Sequence, residues 1–143
     1  MANTRERLGF CNVRLAQRMG EVGLSAAQLA NKADLTYEYV RKLILGSGLP
    51  SDSSLERLCE VLGLSRRDMK QRVARDRIIF QFGDSAWGFW GLTPRAGQLY
   101  ILFSVLNAEE KRLMRLWILS FGKAKKKMKK NLDAKEEIER ITA

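Results

Sequence analysis

Between residues 23 and 65 the chain is punctuated at a spacing that suits short helices and little else. Gly23, Gly46 and Gly63 each follow an apolar stretch of helical period, and Ser25, Thr36, Ser51 and Ser65 each precede a helical stretch. A glycine just past the last turn takes the left-handed conformation that ends a helix, and a Ser or Thr hydroxyl accepts an unpaired first-turn N–H. Five helices follow from this reading. The first runs from Asn12 to Val22, with Leu15, Met19 and Val22 on one face. The second, Ala26 to Ala33, opens on a Ser25–Gln28 capping box and closes in the turn Ala33-Asp34-Leu35, where Asp tolerates the left-handed region. The third is Tyr37 to Leu45, capped by Thr36, with Val40, Leu43 and Ile44 inward; a loop from Gly46 to Pro50 follows. The fourth, Asp52 to Leu62, aligns Leu55, Leu58, Cys59 and Leu62. The fifth starts at a Ser65–Asp68 capping box and runs to about Arg77.

The second half differs in kind. Nine of the twelve aromatic residues lie after residue 77, so this part packs against something and is not a linker. Ile78 to Phe82 fits a strand or a continuation of the fifth helix. Gly83 to Gly97 reads as a Gly- and Trp-rich loop. A helix is expected from Arg95 to Leu106. Asn107 with Glu110 then opens an amphipathic helix, with Leu113, Leu116, Trp117 and Leu119 or Ser120 along one side, that runs into a lysine-rich stretch. Asp133 to Ala143 is polar and reads as helical.

The second and third helices, joined by a three-residue turn, make a helix-turn-helix. Ala30 is small where the two helices cross, and Leu29, Val40 and Leu43 set the crossing by packing. The caps at Ser25 and Thr36 leave backbone N–H groups facing outward, where phosphates can be held. The outer face of the third helix, Tyr37, Glu38, Tyr39, Arg41 and Lys42, is then free to enter a major groove. Arg41 and Lys42 can donate to guanine, Glu38 can accept from cytosine, and the tyrosine rings can meet a thymine methyl or a phosphate. Arg66, Arg67 and Lys70 read equally as backbone clamps or as a solvated helix face.

With these residues in register, Leu24 to Leu64 resembles the phage-repressor helix-turn-helix family, the XRE type. The resemblance rests on Gly23-Leu24-Ser25, Leu29-Ala30, Thr36, Val40, Leu43, Gly46 with Pro50, Leu55, Leu58 and Leu62-Gly63-Leu64. It implies an all-α, five-helix domain that binds operator DNA as a two-fold dimer. Base contacts would fall on Tyr37, Glu38 and Lys42, with Arg41 beside them. Phosphate contacts would fall near Ser25, Ala26, Gln28 and the Gly46–Gly48 loop. With the cap and charge arguments above, the candidate phosphate set is Ser25, Gln28, Thr36, Tyr39, Ser47 and Arg66. Three positions depart from the family pattern. Ala26 stands where Gln is common, Asp34 where the turn usually has Gly, and Met19 with Ile44 where an Arg–Glu pair is frequent. Replacing both members of a buried ion pair by apolar residues is often neutral or stabilising, so the last departure reads as a compensated core.

Charge agrees with an anionic partner. Net charge is +10, from 26 basic and 16 acidic residues. Residues 1–64 contribute only +1, residues 65–77 contribute +4, and Lys111 to Lys130 carries nine basic groups and no acid. The chain has no histidine, which removes the commonest general base and metal ligand. Cys11 and Cys59 sit in apolar helical patterns and read as buried free thiols. No nucleophile constellation, metal cluster or phosphate-binding glycine loop is visible, so neither enzyme activity nor a cofactor or metal is expected. Met1 to Arg7 lacks the apolar stretch of a signal peptide, and the longest apolar run, Leu99 to Leu106, is short of the ~20 residues of a membrane span. A cytoplasmic, nucleoid-associated protein is expected.

The organisation expected is a DNA-binding domain at 5–77, an aromatic and Gly-rich connecting segment at 78–98, and a helical C-terminal dimerisation region with a basic tail at 99–143. A single helix-turn-helix covers one half-site, so a homodimer is expected, with Trp87, Trp90, Leu113 and Trp117 as candidate interface residues. The same aromatics also fit a core within one chain. The alternative function is an antitoxin-like or scaffold-type module that binds a protein partner. Such a module would rest its basic C-terminal helix on an anionic membrane, although only Met128 interrupts Lys123 to Lys130 with a large apolar side chain, which argues against a membrane.

Overall fold

The computed structural model describes residues 7–142; within the last helix, the side chains at 124, 125, 128, 131–138, 141 and 142 lie outside it. The expected domain start at residue 5, Met128 as a side chain, and Ala143 fall outside the described residues. Among these residues all regular secondary structure is helical: α1 (Phe10–Val22), α2 (Ala26–Lys32), α3 (Tyr37–Leu45), α4 (Asp52–Leu62), α5 (Arg66–Phe82), a 3₁₀ segment (Gly83–Trp90), α6 (Pro94–Ser104) and α7 (Ala108–Thr142). They form two compact units, Met1–Val105 and Leu106–Ala143.

In the first unit, α1 to α5 enclose one core. Leu15, Leu29, Ala30, Val40, Leu43, Leu55, Leu58, Leu62, Met69 and Val73 are buried together with both cysteines. Leu58 and Met69 are 0% exposed. Met19 and Ile44 both belong to this core, in keeping with the apolar replacement of a charged pair. Val22, expected on the same face, is exposed at the end of α1. The core reaches that far no longer, because Gly23 turns the chain away in the left-handed conformation. Cys11 and Cys59 are free and buried. Burial pushes the Cys11 thiol up to about 12 and raises that of Cys59, so both are poor nucleophiles at neutral pH.

Four sequence expectations change in detail. First, α1 begins at Phe10, two residues early. Its first N–H groups are capped from α5, where the Asp76 carboxylate accepts from Phe10 N at 2.7 Å and Cys11 N at 2.8 Å. Second, the Ser65–Asp68 capping box is half formed. Ser65 Oγ accepts from Asp68 N, but the Asp68 carboxylate pairs with Arg72 at 2.9 Å. Third, Ile78 to Phe82 continues α5. Fourth, the stretch read as a loop from Gly83 to Gly97 holds the 3₁₀ segment and the start of α6, which Thr93 caps through Ala96 N. This stretch is ordered by a second core, in which Phe10, Trp87 and Ile101 are buried with Val13, Ile79 and Leu92 around them. A Cβ at Gly97 would run into the Trp87 ring system, so the close approach of α6 depends on that glycine. Arg72 ties the pieces together, donating to the Phe10 carbonyl and to the hydroxyl and carbonyl of Ser104.

The second unit is one helix. Asn107 and Glu110 form the expected reciprocal cap, with Glu110 N donating to Asn107 Oδ1 at 2.8 Å and Asn107 N to Glu110 Oε1 at 3.0 Å. The polar stretch from Asp133, expected to be helical, is the tail of the same α7.

Candidate nucleic-acid interface

α2 and α3 are joined by a turn that needs one left-handed residue, and Asp34 supplies it with φ 54°. Leu35 N donates to the Ala30 carbonyl at 2.9 Å across this turn, and the Arg57 guanidinium holds the Asp34 carbonyl from α4. Thr36 then caps α3 by accepting from Tyr39 N. The helix divides cleanly. Val40 and Leu43 are buried, while Tyr37, Glu38 and Lys42 are exposed and Arg41 is half-exposed. The four base-contact candidates therefore share one outward surface, and no described residue of the first unit covers it.

Two of the four are already engaged with each other. Arg41 donates to Glu38 through Nη2 at 2.9 Å and Nε at 3.3 Å. Those hydrogen bonds hold the Glu38 carboxyl below its usual range and the guanidinium above its own. The pair leaves some of the five guanidinium donors free. It also presents paired donor and acceptor groups on the outward face in place of two separate charges.

The phosphate candidates are spread around α3. Ser25 and Gln28 form the expected capping box, with each side chain accepting the other's backbone N–H, and both are exposed at the start of α2. Tyr39 is half-buried and its hydroxyl accepts from Ser51 N at 3.3 Å, so it braces the start of α4 as well as standing near the surface. Ser47 Oγ donates to the Lys42 carbonyl at 3.1 Å, which finishes the last turn of α3. Arg66 lies 3.9 Å from Glu56 in an exposed pair, a geometry of little energetic consequence. Of the interface candidates, Trp87 is 4% exposed and belongs to the second core. Trp90, Leu113 and Trp117 are exposed.

Two residues outside the candidate set fix the helices behind this face. Asn12, 8% exposed, donates to the carbonyls of Arg7 at 2.6 Å and Ile44 at 3.2 Å and accepts from Gly9 N. Arg7 N donates to the Leu45 carbonyl at 3.0 Å. The last carbonyls of α3, which an isolated helix would leave to water, are thus bound to the segment that leads into α1. Gly46 closes this joint in the left-handed conformation, and a Cβ there would strike the Arg7 carbonyl and crowd the Asn12 amide. Asp76 is the second residue, since it fixes the start of α1 against α5. An Asn inside an apolar helix face was the available signal for Asn12. Asp76 stood among basic neighbours and gave none.

The helix-turn-helix family model matches residues 15–69. Over these residues the chain is similar to the XRE-type helix-turn-helix family. No curated protein and no solved structure matched the chain. That family is a DNA-binding, regulatory one. The match takes in α2, α3 and α4 whole, most of α1 and the start of α5, so the Asn12 and Asp76 anchors lie just outside the matched stretch. Among the described residues no helix is long and apolar enough to cross a membrane.

Proposed function

We propose that this protein is a sequence-specific regulator of transcription that binds double-stranded operator DNA as a homodimer, with α3 in the major groove. One observation carries the reading. The outward face of α3 gathers Tyr37, Glu38, Arg41 and Lys42 in the open, on a helix whose other side is locked into the core of a DNA-binding domain type. Arg41 and Lys42 supply donors to guanine, and the Tyr37 ring supplies an apolar contact. Ser25, Gln28 and Thr36, at the starts of α2 and α3, together with Ser47 and Arg66, hold the flanking phosphates and set the register. Tyr39 contributes its remaining hydroxyl donor. The homodimer supplies the second half-site through the exposed apolar residues Trp90, Leu113 and Trp117. Such a regulator works in the cytoplasm beside the nucleoid.

Selection of bound sequences from a random duplex library, followed by mobility shift, tests this. The wild-type chain is expected to enrich a repeated half-site. The double variant Arg41→Ala with Lys42→Ala is expected to lose that preference while keeping its helical circular dichroism. Equal affinity of wild type and variant for the selected duplex would overturn the placement of α3.

A further inference from the structure

The exposed apolar residues of α7 are concentrated in one short band. Leu113, Met114, Leu116, Trp117, Ile118, Leu119 and Phe121 are each 40–66% exposed. Leu113, Trp117 and Phe121 are spaced i, i+4, i+8 on one side of the helix, and the Trp117 and Phe121 rings stack with centroids 6.0 Å apart. A band of this kind on a monomer marks an interaction surface. The band is flanked by charge of a definite order. Before it, Glu109 and Glu110 are balanced by Lys111 and Arg112, with Arg112 paired to Glu109 at 2.9 Å, whereas Lys123, Lys126, Lys127, Lys129 and Lys130 follow it on the same continuous helix.

We infer that α7 pairs with α7 of a second copy in the antiparallel direction, centred on Trp117. The inference rests on the homodimer proposed above and names its geometry. Burial of the band requires two helices to overlap from 113 to 121 in either direction, and charge then chooses between the directions. In a parallel pair the two lysine-rich stretches lie side by side, about one interhelical distance of 8–10 Å apart. That is within the Debye length of roughly 8–10 Å, so the repulsion is felt. In an antiparallel pair centred on Trp117 their midpoints separate by about 28 Å along the axis, where salt screens them. The antiparallel register instead sets the stretch from Glu109 to Arg112, which carries no net charge, opposite positions 122–125 of the other copy, so each lysine-rich stretch faces a neutral segment rather than its own copy. Leu113 faces Phe121, and Trp117 faces its own copy. The two Ala108 positions come to lie about 30 Å apart, within reach of half-sites spaced one DNA turn.

The test uses the full chain with single cysteines on the band. Cys11 and Cys59 are each 2% exposed and stay in place. Leu113→Cys is made on a chain carrying a mass tag and Phe121→Cys on an untagged one. The two are co-expressed, oxidised and run without reductant. The antiparallel pair is expected to give mainly the mixed disulfide, with little crosslinking of either variant alone, and Trp117→Asp is expected to turn a sedimenting dimer into a monomer. Self-crosslinking of each variant alone, without the mixed species, would overturn the direction. A wild-type monomer in sedimentation that instead floats with phosphatidylglycerol vesicles would overturn the pairing in favour of a lipid surface. DNA binding is scored separately by mobility shift. A dimer with the mixed disulfide that binds no duplex removes the regulator reading alone, and a monomer that still selects a duplex removes this one alone.

Discussion

Asp76 caps the helix that Phe10 begins, although 66 positions separate them in sequence. Its carboxylate takes the Phe10 and Cys11 N–H groups while lying almost wholly out of water, at 2% exposure. Burial pushes the carboxyl up to about 6, against the pull of those two N–H groups and of Arg72.

The sign of the resulting pH dependence follows. A carboxyl whose folded value is about 6, against an ordinary 3.8, holds its proton more tightly in the folded chain than in the unfolded one. Its contribution to stability is therefore greatest below pH 4 and declines as pH rises through 6, by on the order of 3 kcal/mol. Asp76→Asn cannot titrate. The stability of wild type minus that of the variant, from urea unfolding at pH 4, 5.5 and 7, should fall across the series. A constant difference would show that Asp76 keeps an ordinary carboxyl.

Asn12 is expected to matter for DNA binding without touching DNA. Asn12→Ala leaves the Arg7 and Ile44 carbonyls without this donor and should cost roughly 1–3 kcal/mol. The last turn of α3 should loosen, seen as faster amide exchange at Gly46 and Ser47, whose N–H groups bond to Leu43 and Lys42. Unchanged exchange at these two amides would show that the joint to Arg7 is not what holds α3.

Glu38 restrains the reading face. Glu38→Gln weakens the hold on Arg41 and removes a negative charge from the surface proposed to approach phosphate. Affinity for duplex should rise at low salt, with sequence preference relaxed. If the released guanidinium takes one more phosphate, the slope of log affinity against log salt steepens by about 0.9. Salt titration by fluorescence anisotropy checks this, and an identical slope would mean that the ion pair already opens on DNA.

Gly97 is the contact on which the second core closes. Gly97→Ala places a methyl against the Trp87 rings and should destabilise the chain by about 1–3 kcal/mol. Tryptophan emission during urea unfolding should move to a lower midpoint and begin more solvent-exposed. An unchanged midpoint would show that α6 has room to shift.

The helices of the DNA-binding domain were legible because their signals are local. Thr36, Ser51, Gly46 and Gly63 sit within one turn of what they cap, and α3 and α4 begin and end where those residues say. The outward face of α3 was legible for the same reason, since period alone separates Val40 and Leu43 from Tyr37 and Lys42. The pairing of Glu38 with Arg41 was within reach of i, i+3 spacing. What could not be read were the bonds that span the chain. The cap from Asp76 to Phe10, the bridge from Asn12 to Ile44 and the grip of Arg72 on Ser104 depend on which helices meet. The stretch from Gly83 looked like a loop because its glycines are turn formers. It becomes helical only when Trp87 has Phe10 and Gly97 to pack against.

The four side chains that face outward from α3 do not hold the fold together. Val40 and Leu43 anchor the helix to the core, and Asn12 and Arg7 fasten its end. Tyr37, Glu38, Arg41 and Lys42 can therefore be exchanged as a set while the scaffold stays as it is, so that, if α3 reads DNA as proposed, chains differing at these few positions would address different operators from one unchanged body.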